Sequence, residues 1–360
     1  MPIMNSFFAS IGLNQTQIGI SQAVFTIAVL ALNIPTGWLA DKISRRMSNA
    51  IGDTIVALGF LGYAFAQTFT HVIVAEITIG VGLALTSGVD IALLSAYCEK
   101  LGRPFREDQA WISRWRPCVE MAAMIIGGII GAHHPRWAIA LTAVPFAIGV
   151  VLSCFMKEEG GRMESHITLK EVIRESLHTG SELRWHIFAY AVAREITHPL
   201  IWVLTPLLLL AGVPAYLVGC GWAVNLLLAS IGSSIAGRVS HLLCWWQRFV
   251  IGAGVALVAT VALAAHVSLW TIWLYGLLGL VRGWVAVTGP DAIVLHSDSN
   301  RRATVMSIAA SVSQLLYIPT VIVINVAGSV DIRWALLTSA VCFLPLVILC
   351  GWKLLLLEDR

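Results

Sequence analysis

Five ionisable side chains stand inside long apolar stretches of the sequence. They are Arg194, Glu195, His198, Arg282 and Glu120. A charge at the middle of a bilayer costs about 2.5–3.5 kcal/mol on insertion scales, so such groups face a partner or a watery space rather than lipid. Arginine recognises anionic groups, whereas Glu and His exchange protons. We therefore predict that these residues line a pathway for a small molecule or a proton.

Three of these side chains are close neighbours on one predicted helix. Glu195 and His198 are three residues apart, and Arg194 and His198 are four apart, so their faces overlap. Pro199 follows at once and removes a backbone hydrogen bond, which predicts a break in the helix. A broken helix inside a membrane presents free backbone groups to a ligand.

Each of these charges also has a structural interpretation. Arg194 and Glu195 can lock two helices together as an ion pair, and Arg282 can serve Glu195 in the same way. Glu120 lies four residues after Arg116, the spacing of an ion pair along one helix. The spacing alone leaves both interpretations open.

Several other polar residues carry weaker signals. Asn33 and Asn225 are candidate polar residues of a cavity. His133 and His134 are adjacent in a short loop, which favours two solvated histidines over a metal site. The seven cysteines include no CxxC pair, so neither a disulfide framework nor a zinc site is indicated. We predict no cofactor and no metal.

The elements that position these residues are predicted from hydropathy. Apolar residues make up 58% of the 360, charged residues only 12%, and the mean hydropathy is +0.82. Runs long enough to cross a bilayer as helices recur along the whole chain. They lie near 15–38, 49–68, 71–96, 112–132, 136–156, 185–211, 214–236, 248–266, 268–291, 303–327 and 334–354. The sequence therefore predicts an all-α, polytopic membrane protein with about eleven transmembrane helices. The net charge of +3 is not gathered into one patch, which argues against nucleic acid as a partner.

The short loops predict the orientation. Alternate loops carry nearly all of the Lys and Arg residues, while the other loops carry only Arg333, with Arg136 at a helix edge. Basic loops face the cytoplasm in most membrane proteins. We therefore expect the C-terminus in the cytoplasm and the N-terminus outside.

The longest hydrophilic stretch divides the chain into five helices and six. We predict an N-terminal bundle over 1–156, a cytoplasmic linker over 157–184 and a C-terminal bundle over 185–360. Within the linker, Thr168 and Glu171 have the spacing of a capping box ahead of a short amphipathic helix.

The two halves also repeat short patterns in the same order. Ser87-Gly88-Val89-Asp90 matches Thr288-Gly289-Pro290-Asp291, and Ala40-Asp41-Lys42-Ile43-Ser44 matches Ala236-Gly237-Arg238-Val239-Ser240. Paired patterns of this kind indicate a duplicated bundle.

One loop carries a family resemblance. The segment Gly37-Trp38-Leu39-Ala40-Asp41-Lys42-Ile43-Ser44-Arg45-Arg46 resembles the loop signature of the major facilitator superfamily, Gly-x-Leu-Ala-Asp-Arg-x-Gly-Arg-Arg. The segment Arg301–Ser307 resembles the start of that family's eleventh helix. The resemblance covers nearly the whole chain and implies two pseudo-symmetric helical bundles. It also implies a salt-bridge gate, for which we expect Gly37, Asp41, Arg45, Asp90, Arg238 and Asp291.

Three departures from the family's pattern stand out. The family has twelve helices, and its first is absent here, where residues 1–14 resemble the outer end of that helix and the loop after it. Glu76 stands where the family often has the Arg of Arg-x-x-x-Gly. The glycines at 127, 128 and 131 lack the proline of the antiporter signature, which argues against drug–proton antiport.

The resemblance implies a secondary transporter of the inner membrane, in which one bundle rocks against the other. Because no Gly-x-x-x-x-Gly-Lys-[Ser/Thr] loop is present, an ion gradient is the expected drive, by protons through Glu195, Glu120 or His198. Arg194 and Arg282 favour an anionic or zwitterionic small molecule as the substrate. A multidrug efflux transporter and a transport-incompetent truncated protein remain alternatives. A membrane-embedded enzyme is disfavoured, since the sequence contains no His-Glu-x-x-His and no convincing Ser/His pair.

Overall fold

The computed structural model describes residues 4–86, 94, 97–98, 100–102, 105–156, 181–239, 242–268, 270–296 and 302–358. Within these ranges the regular structure is helical, with α-helices and one 3₁₀ turn at Ala215–Leu217 and no strand. In chain order the helices are α1 (Met4–Ser10), α2 (Gln15–Ile43), α3 (Arg45–Phe65), α4 (Phe69–Thr86), α5 (Phe105–His133), α6 (Pro135–Leu141), α7 (Ala143–Phe155), α8 (Ser181–Glu195), α9 (Ile201–Leu210), α10 (Val218–Val239), α11 (Trp245–Ala265), α12 (Trp273–Leu295), α13 (Arg302–Val330) and α14 (Ile332–Glu358).

These helices account for the predicted membrane spans. Within the described ranges, eight helical segments are long and apolar enough to cross a bilayer on their own. Helices α3 and α12 have comparable length, and α8 and α9 together occupy the sixth predicted span, 185–211, with a break between them. The prediction of an all-α membrane protein with about eleven spans is confirmed.

The outer surface of the helices is apolar. Val119, Ile348 and Phe155 are 67%, 63% and 82% exposed. Many other large apolar side chains on the same helices are also exposed. Such a large apolar surface is unfavourable in water and favourable in the hydrocarbon core of a bilayer.

The chain divides into two compact units, Met1–His166 and Ile167–Arg360. In the first unit, helix α2 begins after Asn14, whose side chain accepts a hydrogen bond from the Gln17 N–H at 2.9 Å in a capping box. Two hydroxyls then tie neighbouring helices to α4. Thr36 donates to the Ala84 carbonyl and Ser48 to the Leu85 carbonyl, both at 2.9 Å.

The fifth predicted span contains an interruption that we did not predict. Helix α6 ends at Leu141 and α7 begins at Ala143. Pro145 has no N–H to donate to the carbonyl four residues earlier, at Leu141, so the helical ladder is incomplete at this point.

The second unit depends on close contact between α10 and α12. A Cβ atom added at Gly283 would collide with the Ala229 carbonyl, and one added at Gly232 would collide with the Leu280 carbonyl. Glycine at these positions lets the two backbones touch, as small residues do where membrane helices pack tightly. Helix α12 is thereby held in place beside α10.

Some predicted features lie outside the described residues. These are the amphipathic segment of the linker, the first copy of the Ser-Gly-Val-Asp pattern at 87–90, and residue Arg301. Helix α8 begins at Ser181, within the predicted linker.

Candidate functional site

The helix break predicted at Pro199 is present between α8 and α9. The last hydrogen bond of α8 runs from the Ile196 N–H to the Val192 carbonyl at 3.1 Å. The chain then turns through shorter-range bonds, such as the one from Ile201 N–H to the His198 carbonyl at 3.1 Å. Pro199 cannot donate to the Glu195 carbonyl, which explains why α8 ends at Glu195.

Glu195 is the centre of the charged cluster at this break. Its side chain is 1% exposed, and each carboxylate oxygen faces a different base. Arg194 Nε lies 3.6 Å from Oε1, and His198 Nδ1 lies 3.1 Å from Oε2. The bases are 38% and 37% exposed, so they reach from the buried carboxylate towards open space. The structure therefore brings together three of the predicted residues.

Aromatic side chains surround the same break. The rings of His198 and Tyr317 have centroids 4.6 Å apart, and the Tyr317 hydroxyl accepts a hydrogen bond from Trp202 Nε1 at 2.9 Å. Tyr275, on α12, donates its hydroxyl to the Leu200 carbonyl at 3.0 Å. A neighbouring helix thus donates a hydrogen bond to a backbone carbonyl at the break. The sequence carried no signal for these aromatic partners, because they come from α12 and α13.

Arg282 is placed by the spacing of α12. It lies two turns after Tyr275, half-buried, and its charge acts on the Tyr275 phenol. Among the described residues, Arg282 has no ion-pair partner within 4.0 Å, and Glu195 is paired with Arg194 and His198 instead. The proposed structural salt bridge between Arg282 and Glu195 is therefore not formed.

Two other predicted residues have local structural partners. Glu120 accepts a hydrogen bond from Arg116 Nε at 2.8 Å, and both side chains are well exposed. This is the structural alternative expected from their spacing along the helix. Asn225 is buried and donates to the Tyr275 carbonyl at 3.3 Å, so it joins α10 to α12. The side chain of Asn33 lies outside the described part of the chain.

The residues assigned to the gate are only partly described. The side chains at Gly37, Asp41 and Arg45, and the whole of Asp90, lie outside the described residues. Arg238 is exposed in the last turn of α10. The gating role of these residues stays a prediction.

Asp291 belongs to a charged cluster at one end of the second unit. Its Oδ2 lies 3.1 Å from Nη1 of Arg248. The Arg248 guanidinium also lies 4.0 Å from the centre of the Trp245 ring. Nearby, the rings of His186 and His296 stack with centroids 4.1 Å apart. Arg248 was not among the residues that we expected to act at a gate.

Near the signature loop, the described polar residues hold the first unit together. Arg46 Nη1 donates to the Met156 carbonyl at 2.8 Å, at the end of α7. Asn49 Nδ2 donates to Ser153 Oγ at 3.0 Å. The start of α3 is thereby connected to α7.

A second buried carboxyl lies in the first unit. Glu76 on α4 is 4% exposed and accepts a hydrogen bond from the side-chain amide of Gln22 on α2. Tyr63 on α3 is buried beside the same carboxyl. The sequence showed Glu76 only as a departure from the family pattern, although an acidic residue in an apolar helix is itself a signal of function.

We find no metal site in the described ranges, where no three His, Cys, Asp or Glu side chains are close enough to hold an ion.

The sequence profile of the Major Facilitator Superfamily matches residues 1–320. This chain belongs to the Major Facilitator Superfamily. Its fold and family are those of membrane transporters. No curated protein matches the sequence at a significant level.

Several solved structures of facilitator-type transporters share the fold. A variant of the nucleoside transporter NupG superposes with a TM-score of 0.83 at 14% identity, over 98% of this chain and 94% of that one. A bacterial homologue of the human lysosomal transporter Spinster, inward-facing and unoccupied, gives 0.78 at 13% identity over 100% and 93%. A POT family transporter in complex with 5-aminolevulinic acid gives 0.70 at 14% identity over 96% and 89%. At these identities the likeness is one of fold.

Proposed function

We propose that this protein is a proton-coupled secondary transporter that moves a small anionic or zwitterionic solute by alternating access. The observation that carries the proposal is the buried Glu195, held between Arg194 and His198 where α8 breaks. An ion pair that only stabilises the fold needs neither a broken helix nor partly exposed bases. A solute-binding site uses both features, because the break and the exposed bases offer polar groups to a ligand.

The exposed cations supply the recognition of the solute. Arg194 offers its remaining N–H groups to a carboxylate or phosphate. Arg282, which has no ion-pair partner among the described residues, lies on a neighbouring helix of the same unit. Hydrogen bonds to charged groups contribute about 1.5–3 kcal/mol each.

Glu195 and His198 supply a route for coupling. Protonation of Glu195 weakens its hold on Arg194, and His198 at 3.1 Å can take the proton or return it. Proton and solute then compete for the same cluster. Competition of this kind makes the affinity for the solute depend on pH.

An uptake assay in proteoliposomes tests the substrate class. The panel is 5-aminolevulinic acid and a dipeptide as zwitterions, a nucleoside as a neutral solute, and a lipophilic cation as a drug-like compound. We expect accumulation of a zwitterion when a pH gradient is imposed. Uptake of the lipophilic cation alone would indicate multidrug efflux, and uptake of none would favour a transport-incompetent protein.

Binding measurements test the assigned cations. We expect Arg194→Ala and Arg282→Ala each to weaken binding of the accumulated solute by about tenfold or more, since tenfold corresponds to about 1.4 kcal/mol. Arg282→Lys restores binding only in part, because a point charge does not replace a planar guanidinium. Arg116→Ala is the matched control, as it removes an exposed arginine of the first unit. Unchanged binding in both Arg194→Ala and Arg282→Ala would refute the assignment.

We also propose the orientation that the basic loops predict, with the C-terminus in the cytoplasm of a cell whose inner membrane holds the protein. A reporter enzyme fused after Arg360 tests this. Activity of a reporter that works only in the cytoplasm supports it. Activity of one that works only outside overturns it.

A further inference from the structure

Glu76 is a carboxyl buried where three helices of the first unit meet. It lies about two turns inside α4, and its neighbours Gln22 on α2 and Tyr63 on α3 are 6% and 1% exposed. The rings of Phe7 and Phe8 on α1 cover Tyr63, with centroids 6.2 Å and 5.9 Å away. The carboxyl is therefore separated from bulk water on the described sides.

No described cation neutralises this carboxyl. Helix α4 packs against α2 and α3. Among the described side chains of these helices, the other ionisable groups are directed elsewhere, and Arg46 donates to the Met156 carbonyl. Asp53 on α3 lies against Gly149 of α7, and His71 on α4 is exposed at the start of the helix. Because an uncompensated charge inside the bilayer costs about 2.5–3.5 kcal/mol, burial favours the neutral, protonated form of the Glu76 carboxyl.

The neighbouring side chains can also stabilise the deprotonated Glu76 carboxylate. The Gln22 amide donates to Oε1 of Glu76. The Tyr63 hydroxyl lies beside the carboxyl and has no hydrogen-bond partner at standard geometry among the described residues. When the proton leaves, this second donor can turn to the carboxylate, and each hydrogen bond to a charged group contributes about 1.5–3 kcal/mol. A group that is tolerated in both protonation states can take up and release a proton.

We propose that Glu76 is a second proton-binding site, in the first unit, whose proton is taken up and released during the transport cycle. This inference rests on the proton coupling proposed above. Release of the proton draws Gln22 and Tyr63 towards the charge, and so changes how α2, α3 and α4 pack. A purely structural Glu76 would instead keep its proton throughout the cycle.

Infrared spectroscopy of the purified protein in lipid tests the proton site without any substrate. We expect the carbonyl band of a protonated carboxylic acid at neutral pH, a shift of this band in heavy water, and its loss as the pH is raised. Glu76→Gln keeps the shape of the side chain and removes the band. Glu120→Gln, an exposed carboxyl paired with Arg116, is the matched control and keeps it. A band that is unchanged in Glu76→Gln overturns the proposal.

Proteoliposomes test whether this proton moves in the cycle. The probe is whichever of 5-aminolevulinic acid, the dipeptide or the nucleoside the wild-type protein accumulates, with proton movement followed by a trapped pH dye. We expect Glu76→Gln to lower the number of protons moved per solute while exchange of labelled for unlabelled solute continues. Glu76→Asp, which keeps a titratable group, restores part of the ratio even if Glu76→Gln folds poorly.

The outcomes separate the two proposals. Wild-type proteoliposomes that move solute but no protons refute the proposed coupling and, with it, the cycling of the Glu76 proton. Proton movement in the wild type with an unchanged ratio in Glu76→Gln refutes the second site alone.

Discussion

Glu195 and Glu76 are both buried carboxyls on membrane-spanning helices, yet their surroundings differ. Glu195 faces Arg194 and His198, both more than one-third exposed, at a break in the helix. Glu76 faces an amide and a phenol inside an unbroken helix, with no cation among its described neighbours. Charge is stable where bases and water compensate it, and a neutral acid is stable where they do not. The two carboxyls therefore suit the different tasks that we propose for them, competition between solute and proton at Glu195 and proton storage at Glu76.

The largest contrast is expected when each carboxylate is replaced by its amide. Glu195→Gln removes the counter-charge of two bases, and we expect the unfolding free energy to fall by about 2–3 kcal/mol. The loss stays below the about 3–5 kcal/mol of a fully buried pair, because both bases are partly exposed. Glu76→Gln keeps the Gln22 contact and loses less than about 1 kcal/mol.

Thermal unfolding in detergent, followed by the folded fraction in gel filtration, measures both changes. The double variant Arg194→Gln with Glu195→Gln recovers part of the loss, since neither charge is then left alone. Equal losses for the two single variants would mean that Glu76 is also charged and has a hidden partner.

A smaller effect is expected when Glu76, the hydrogen-bond partner of Gln22 in the first unit, is replaced by an apolar residue. Glu76→Leu leaves the buried Gln22 amide without its acceptor, which costs about 1–2 kcal/mol. Replacing both Gln22 and Glu76 by leucine removes the unsatisfied Gln22 amide, so we expect most of the lost stability to return. Apparent unfolding midpoints of the three variants provide the comparison. If the double variant is no more stable than Glu76→Leu, the two side chains are not coupled.

The aromatic partners of the second unit sharpen the comparison further. Trp202→Phe removes the hydrogen bond to the Tyr317 hydroxyl, and we expect a loss of about 1 kcal/mol in stability. Because the Tyr317 ring also faces His198, solute binding weakens as well.

Trp222→Phe is the matched control for that substitution. It loses a similar bond, to Thr205 Oγ1 at 3.1 Å, from an equally buried tryptophan. Stability falls by a similar amount while solute binding is retained. Equal loss of binding in both variants would show that the Tyr317 ring has no special role.

The smallest effect is expected at the exposed pair. Arg116→Ala removes an ion pair between residues four apart on a helix surface, which contributes about 0.3–0.5 kcal/mol. We expect unfolding and solute uptake close to those of the wild type. A large loss of uptake would return Glu120 to the set of functional residues.

Contacts between residues three or four apart in the sequence were predictable from spacing. The Glu195–His198 and Arg116–Glu120 contacts follow from separations of three and four residues, and the break follows from Pro199. Whether Arg282 meets Glu195 was not predictable in this way. Its distance from Glu195 depends on the relative placement of α12 and α8, which no local pattern encodes.

Hydropathy along the chain determined the spans, because the cost of moving each segment into hydrocarbon depends on its own composition. The loop signature likewise indicated the family before any contact was known. Only the tertiary structure decided that Glu76 meets neutral side chains from two other helices. Gln22 and Glu76 are 54 residues apart, and Trp202 and Tyr317 are 115 apart. Such pairs meet through the packing of whole helices, as where Gly232 and Gly283 let α10 and α12 touch, and that packing sums many contacts distant in sequence.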